Sequence, residues 1–325
     1  VRQREEVQEL LRAHRVAIAV SEPEPHRRRP RYAGKHPRRF EDKYKERDPQ
    51  QYPEVVEKVL ASGKTLAGTH RPVMVAEILA VLAPQPGEVA VDCTLGHGGH
   101  AQEILPRCAR LIGLDADPLE LPKTEARLRA LGFGPEIFTA HRTNFAGLSK
   151  VLAAEGLTGA DVILADLGVC SMQLDDPARG FGAKLNGPLD MRMNPHRGEP
   201  ASALLAKIAP HALALLFTEN ADEPHADELA RALAGRHFAT STELAAAIRR
   251  ALPAVDHDLT ARRVFQALRI AVNDEFAVLD ALLRQLPTCL KPGGRVAILT
   301  FHSGEDRRVK KSFQAAHNAG LYAEI

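Results

Sequence analysis

Five short strand-like runs, at residues 89–91, 111–114, 136–140, 162–165 and 295–300, are separated by stretches whose apolar residues recur at three- and four-residue steps. Runs this short suit strands, the intervening spacing suits helices, and their alternation predicts a parallel sheet. Helices are predicted at 119–131 and 145–155, and Val73, Ile78, Leu79 and Leu82 mark another before the first strand. The rhythm stops at 175–198, a charged stretch rich in glycine and proline, of a length that is usually functional or disordered. Ala- and Leu-rich helical segments fill 201–252. A stripe of Phe265, Leu268, Val272, Phe276, Leu279, Leu283 and Leu286 then predicts one long helix with a core-facing side, ended by Lys291-Pro292-Gly293-Gly294. A block of helices between the fourth and fifth strands reads as an inserted domain. The expected organisation is a basic N-terminal extension (1–69), a sheet-bearing core (70–174 and 262–325), and a loop with an inserted helical substrate domain (175–261).

The 325 residues, 45% of them hydrophobic, support one large or two modest domains. No run approaches the roughly 18 apolar residues of a membrane span. Residues 16–20 are too short for a signal-peptide core, and Glu5, Glu6 and Glu9 argue against an organellar transit peptide, so a cytoplasmic protein is expected. Cys93, Cys108, Cys170 and Cys289 stand far apart, which suits reduced thiols rather than a zinc site or disulfide framework. His97 and His100 lie in a glycine turn without carboxylate or thiolate partners, and no metal is expected there.

The net charge of +2 hides an uneven distribution, since residues 26–47 hold ten Lys/Arg against three acids. Tyr32, Phe40 and Tyr44 are interleaved with these cations, a mix that suits phosphate contacts and base stacking, or a plain solvated arm.

Candidate chemistry concentrates where the strand-like runs end. The first ends in Asp92, the glycine turn Gly96-His97-Gly98-Gly99-His100 follows, and the second run ends in Asp115, nineteen residues after Gly96. Glycines let a backbone approach a ligand closely, and an acid about 20 residues on meets ribose hydroxyls in a dinucleotide-type unit. Gly96-x-Gly98-x-x-Ala101 also fits the nicotinamide dinucleotide fingerprint. Asp92 leans the other way: a carboxylate there would face a pyrophosphate unfavourably but could receive the ammonium of S-adenosylmethionine. The fourth run delivers Asp166, which should share the sheet edge of Asp92 and Asp115, and Phe301-His302-Ser303 should lie at that edge after the fifth.

Together with Leu114-Asp115-Ala116-Asp117-Pro118, Asp166-Leu167-Gly168-Val169, Gln173-Leu174-Asp175-Asp176, Arg179-Gly180-Phe181, Gly187-Pro188-Leu189-Asp190-Met191-Arg192-Met193 and Phe265-Gln266-Ala267-Leu268-Arg269-Ile270, these segments make the chain resemble the RsmH (MraW) methyltransferases over residues 70 to about 311. The resemblance implies an α/β fold, a Rossmann-like class I methyltransferase sheet with a helical domain inserted between the fourth and fifth strands. It also implies transfer of a methyl group from S-adenosylmethionine to N4 of a cytidine in the decoding region of 16S (small-subunit) ribosomal RNA. Cofactor contacts are implied at Gly98, Gly99, His100, Asp115, Phe145, Asp166 and Gln173. The implied partner is small-subunit ribosomal RNA or the assembled small subunit, with a homodimer as an option.

The N4 lone pair is delocalised into the cytosine ring, so a positioned proton acceptor is needed. Asp166 is the first candidate, with Asp190 and His302 behind it. Arg179, Arg192 and Arg197 are candidates for holding phosphates of the RNA. The amino-methyltransferases of DNA carry an aromatic after the fourth strand, absent from Asp166-Leu167-Gly168-Val169, so base clamping is expected from the 175–198 loop.

Departures from the family pattern are Cys170 for Ser, Met172 for Pro and Gly304 for Leu, together with the basic first 69 residues. The start at Val1 and stop at Ile325 lead to the expectation of a fragment whose sheet lacks its final strands and exposes an edge. Two other functions remain open at this point: a nicotinamide-dependent oxidoreductase, and a non-catalytic RNA-binding relative.

Overall fold

The computed structural model describes residues 72–325, so the basic N-terminal extension lies outside the described residues. Five strands form one parallel sheet: β1 (Val89–Asp92), β2 (Arg110–Asp115), β3 (Phe138–Arg142), β4 (Ala160–Asp166) and β5 (Leu290–Leu299), in the order β3-β2-β1-β4-β5. The order reverses at β1, which pairs with β2 on one side and β4 on the other. Open α/β sheets bind ligands in the crevice at the carboxyl ends beside such a reversal.

Successive strand residues point to opposite faces, and two separate cores follow from that alternation. Ala90, Leu111, Val162 and Leu164 face a layer made by α1 (Val75–Leu82), α2 (Gly99–Ile104) and α3 (Leu121–Ala130). Their neighbours Val91, Ile112, Ile163 and Ala165 face α4 (Leu148–Ala154) and α11 (Glu275–Cys289). The central strands are apolar on both sides because both sides are covered.

Between β4 and β5 lie α5 (Ser171–Asp175), α6 (Ala201–Lys207), α7 (Pro210–Ala221), α8 (Ala226–Leu233), α9 (Ser241–Ala251) and α10 (His257–Val272). Their apolar faces form a third core around Leu205, Leu213, Phe217, Leu229, Leu244 and Ile248. Thr240 and Glu243 close a capping box at the start of α9, and Asp256 caps α10 by accepting from the Asp258 and Leu259 amides, both at 3.0 Å. α12 (Ser303–Asn318) follows β5.

Three sequence expectations shift. The single long helix is two, α10 and α11, broken where Asp274 takes φ 51°. Asn273 stabilises the break, donating to the Met191 and Arg269 carbonyls and accepting from the Met193 amide. The break divides the apolar stripe: Phe265 and Leu268 enter the helical core, whereas Leu279, Leu283 and Leu286 enter the sheet core. Periodicity could not see this, since both halves keep one spacing. Second, Lys291–Gly294 lies inside β5, where the register jumps from Ala160↔Leu290 to Val162↔Arg295, a bulge rather than a helix stop. Third, β3 starts two residues later than predicted, because a turn in which Ile137 donates to the Gly134 carbonyl occupies the preceding residues. No described helix is long and apolar enough to cross a membrane.

Phe217 is fully buried in the helical core. Its replacement by alanine should cost about 3–5 kcal/mol in urea unfolding of the full chain; a cost below about 1 kcal/mol would contradict this packing.

Candidate active site

Asp92, Asp115 and Asp166 end adjacent parallel strands, and the parallel register brings all three to one cleft of about 1580 Å³. The opposite wall comes from α9, α10 and the 175–198 loop, with Lys184, Arg197, Arg249 and Arg262 on it. The volume exceeds the roughly 300–1,000 Å³ of a single small-ligand site, so a cofactor and a second reactant fit together.

The glycine turn is built around Asp115. One carboxylate oxygen accepts from the Gly96 amide at 2.6 Å and the other from the Asp117 amide at 2.7 Å. Each oxygen keeps a lone pair for a further donor. Gly96 and Gly98 have φ of 47° and 68°, which a side chain would strain. A Cβ on Gly98 would also lie 2.9 Å from Cγ2 of Thr124. Gly98 is therefore the seat on which α3 packs and is not part of the cleft lining, whereas Gly99 and His100 are.

Behind the turn, Asp92 is 1% exposed. Burial, reinforced by Asp166 and Asp115, pushes its pKa up to about 6 against the opposing pull of His100 and the Thr94 amide. Burial likewise lifts Asp115 to about 6, despite its two backbone donors. His100 Nε2 stands 3.5 Å from one Asp166 oxygen, and neither that nitrogen nor the other Asp166 oxygen, Oδ1, has a hydrogen-bond partner. The Thr94 hydroxyl accepts from the Asp166 amide at 2.6 Å and ties the end of β4 to β1. Buried carboxylates with open lone pairs suit a ligand that brings a cation and hydroxyl donors. Phe145 lines the same cleft from the turn after β3.

The loop residues divide. Asp117, 1% exposed, accepts from Arg179 Nη1 at 2.7 Å and from Gln173 Nε2 at 3.0 Å. Arg179 is itself 8% exposed, and its Nη2 donates to the Arg192 and Met193 carbonyls. These contacts hold the loop against β2 and keep Arg179 away from the cleft lining. Arg192 is bidentate to Asp190, at 2.8 and 2.7 Å. Burial pushes Asp190 up, but Arg192 outweighs it and holds the carboxyl below its ordinary value. Asp190 is also absent from the lining, so only Arg197 of the three arginines and His302 and Asp166 of the three acid–base candidates face the cleft. Gln173 lines it, with Oε1 accepting from the Cys170 amide at 3.1 Å.

His302 caps α12: its Nδ1 accepts from the Glu305 amide at 3.4 Å, and its Nε2 lies 3.2 Å from Glu305 Oε1. Sequence reasoning passed over Asp117, Thr94 and Glu305. Asp117 was visible as a second acid after β2, but its buried arginine partner lies 62 residues away. Nothing in the spacing marked Thr94.

The MraW methylase family matches residues 67–323. The chain is 46% identical over 316 residues to ribosomal RNA small subunit methyltransferase H 1 of Lachnoclostridium phytofermentans, covering 92% of this chain and 86% of that protein. It is 44% identical over 320 residues to the H 1 protein of Agathobacter rectalis, with 94% and 91% covered. A ribosomal RNA small subunit methyltransferase H of Anaeromyxobacter sp. (strain Fw109-5) is 46% identical over 261 residues, with 77% and 82% covered. The first alignment leaves out 8% of 325 residues, about 26, fewer than the 66 that precede residue 67. Part of the N-terminal extension is therefore shared with that relative, which corrects the expectation that all of it departs from the family.

Asp92 supplies a stability test. Its folded pKa is raised above the unfolded value, so the ionised carboxylate destabilises the ligand-free fold above about pH 6, and the effect fades as pH falls towards 4. Asp92→Asn should therefore stabilise the ligand-free protein by about 1–3 kcal/mol at pH 7.5 and by almost nothing at pH 4, read by urea unfolding. An equal gain at both pH values would contradict a buried, ionising Asp92.

Proposed function

The chain belongs to the MraW methylase family, and from that premise we propose that it transfers a methyl group from S-adenosylmethionine to N4 of a cytidine in the decoding region of 16S (small-subunit) ribosomal RNA. The observation that carries this reading is the Asp166 carboxylate, part-exposed on the cleft floor beside Asp92 and Asp115 and opposite a cationic wall, with His100 3.5 Å from one of its oxygens.

S-adenosylmethionine, when bound, supplies an electrophilic methyl group on sulfonium sulfur. The residues that would hold it have the matching chemistry. Asp115 keeps lone pairs for the ribose diol, Asp92 offers a buried carboxylate to an ammonium, and Phe145 provides an apolar border for adenine. Gly99 and His100 complete the turn, and Gln173 is fixed by Asp117. An ammonium beside Asp92 would favour its ionised form and offset the burial that raises its pKa.

The Asp166 carboxylate would accept an N–H of the cytosine amino group, which would free the nitrogen lone pair from the ring. Asp166 would take the proton that N4 gives up on receiving the methyl group. His100, 3.5 Å from Oδ2 of Asp166, would orient the carboxylate. His302 stands at the same edge as a second group able to hold a proton. Asp190, engaged by Arg192, acts by bracing the loop. Arg197, Arg249 and Arg262 are placed to meet phosphates around an unpaired or flipped nucleotide. A cytoplasmic location is part of this proposal, since it is where such an RNA would be met.

The nicotinamide reading has weaker support, because Asp92 would oppose a pyrophosphate at the turn. The non-catalytic reading is opposed by an intact Asp115, Asp166 and Gln173.

The deciding experiment is mass spectrometry of nucleosides from small-subunit ribosomal RNA of cells lacking this gene. N4-methylcytidine should be lost, restored by the wild-type gene, and not restored by Asp166→Ala, whose rate should fall about 10²–10⁴-fold. An unchanged N4-methylcytidine level in the deleted strain would refute the reading. In vitro, Asp115→Ala should weaken S-adenosylmethionine binding about 10- to 100-fold in calorimetric titration; unchanged affinity would remove Asp115 from the cofactor site.

A further inference from the structure

The cleft contains an aromatic ring with no role so far. Phe301, two residues beyond the end of β5, is 59% exposed and lines the cleft. It is the aromatic member of the large hydrophobic side chains exposed among the described residues, the others being aliphatic. Leaving a phenyl ring in water forgoes the stabilisation that burial would bring, and inside a ligand cleft it leaves a π-face open to a bound partner.

Its position is fixed by the sheet. Asp166 pairs in register with Leu299, so Phe301 leaves β5 beside the segment that follows Asp166. That segment has no aromatic residue from Asp166 to Cys170. Within it, Gly168, at φ 94°, approaches the ring: a Cβ built there would lie 3.9 Å from Phe301 Cδ2. The ring and the open glycine backbone thus border one space next to Asp166.

The backbone that carries the ring is also held. The Phe301 amide donates to Oε2 of Glu305 at 2.9 Å, while Glu305, 4% exposed, engages His302 through its amide and its other oxygen. The Phe276 ring stacks at a tilt against His302, 5.8 Å between centroids, with the Arg308 guanidinium 4.1 Å over its centre. A Cβ at Gly304 would stand 2.6 Å from Cζ of Phe276, so glycine at 304 is what admits that ring. The one family departure in this segment is therefore part of the packing around His302, the residue after Phe301.

We propose that Phe301 is the stacking platform for the flipped target base, forming with the Gly168 backbone a base-binding subsite beside Asp166. The assignment rests on the reading of the protein as an enzyme that acts on an amino-bearing base. Stacking uses the π-face of the base and leaves its edge, with the exocyclic amino group, free to face Asp166. A face contact tolerates any base, so the choice of cytosine falls to groups at the edge.

The test uses the full chain saturated with S-adenosylhomocysteine. Cytidine, uridine and adenosine 5′-monophosphates and ribose 5-phosphate are titrated by NMR against wild type, Phe301→Ala, Phe301→Leu and Phe301→Tyr. Base protons of bound cytidine monophosphate should shift upfield in the wild type and in Phe301→Tyr. The shift should vanish in Phe301→Ala and Phe301→Leu, with affinity about tenfold or more weaker. Ribose 5-phosphate and S-adenosylhomocysteine should bind all four proteins alike, which separates a lost platform from a damaged fold. Undiminished affinity and shift in Phe301→Ala or Phe301→Leu, or no upfield shift for any nucleotide on the wild type, would overturn the platform. A Phe301-dependent shift with uridine or adenosine monophosphate alone would support the platform and overturn the cytidine reading.

Discussion

The buried ion pair between Asp117 and Arg179 holds the cleft together. Asp117 belongs to the turn after β2, while Arg179 begins the long loop that leads into the helices between β4 and β5. Neither charge reaches water to any extent, and each is satisfied by more than its partner. Asp117 takes Gln173 and the Leu119 amide, and Arg179 takes two loop carbonyls. A buried charge whose partner is removed costs roughly 3–5 kcal/mol, so the arrangement admits few alternatives. Asn273 continues it by clamping Met191 and Met193 to the break between α10 and α11. A loop that would otherwise sample many shapes becomes a wall of the site.

The floor of the cleft follows the opposite logic. Burial lifts Asp92 and Asp115 to about 6, with Asp166 and Asp115 adding to the rise at Asp92, and Asp117 and Glu120 to that at Asp115. A fold optimised for stability would place apolar residues there. The chain instead keeps three strand-end acids around one space, with Asp166 Oδ1 unpartnered. Such a site favours ligands that bring positive charge and hydroxyl donors. The proposed methyl donor has both, so binding it would relieve strain that the ligand-free protein carries.

The helical half serves the same site from across the cleft. Its core is independent of the sheet faces, yet α10 runs from that core directly into α11, which covers the sheet. One break at Asn273 and Asp274 lets a continuous apolar stripe serve both cores. The two walls of the cleft are thus coupled through a few residues at the junction, where a change in packing on one side would be felt on the other.

The sequence by itself determined the alternation of strands and helices, and with it the parallel sheet. It also placed Asp92, Asp115 and Asp166 at one edge, because a strand end in a parallel sheet has only one place to go. The glycine turn and the family motifs were legible because they are local. Only the tertiary structure decided what the loop residues do. Arg179 and Arg192 look alike in a charged, glycine-rich stretch, yet each is held by an acid and neither lines the cleft, whereas Arg197 does. Gly98 reads as a cofactor glycine but is shaped by Thr124 in α3. Phe301 reads as one more apolar residue after a strand, and its exposure depends on where β5 ends relative to β4. Arg179 meets its acid 62 residues away, Thr124 lies 26 residues from Gly98, and Leu299 pairs with Asp166 across 133. Local pattern carries no information about contacts at that range; Arg192 alone finds its acid, Asp190, two residues away. Burial and pairing, which turn a residue type into a role, exist only once the chain has folded.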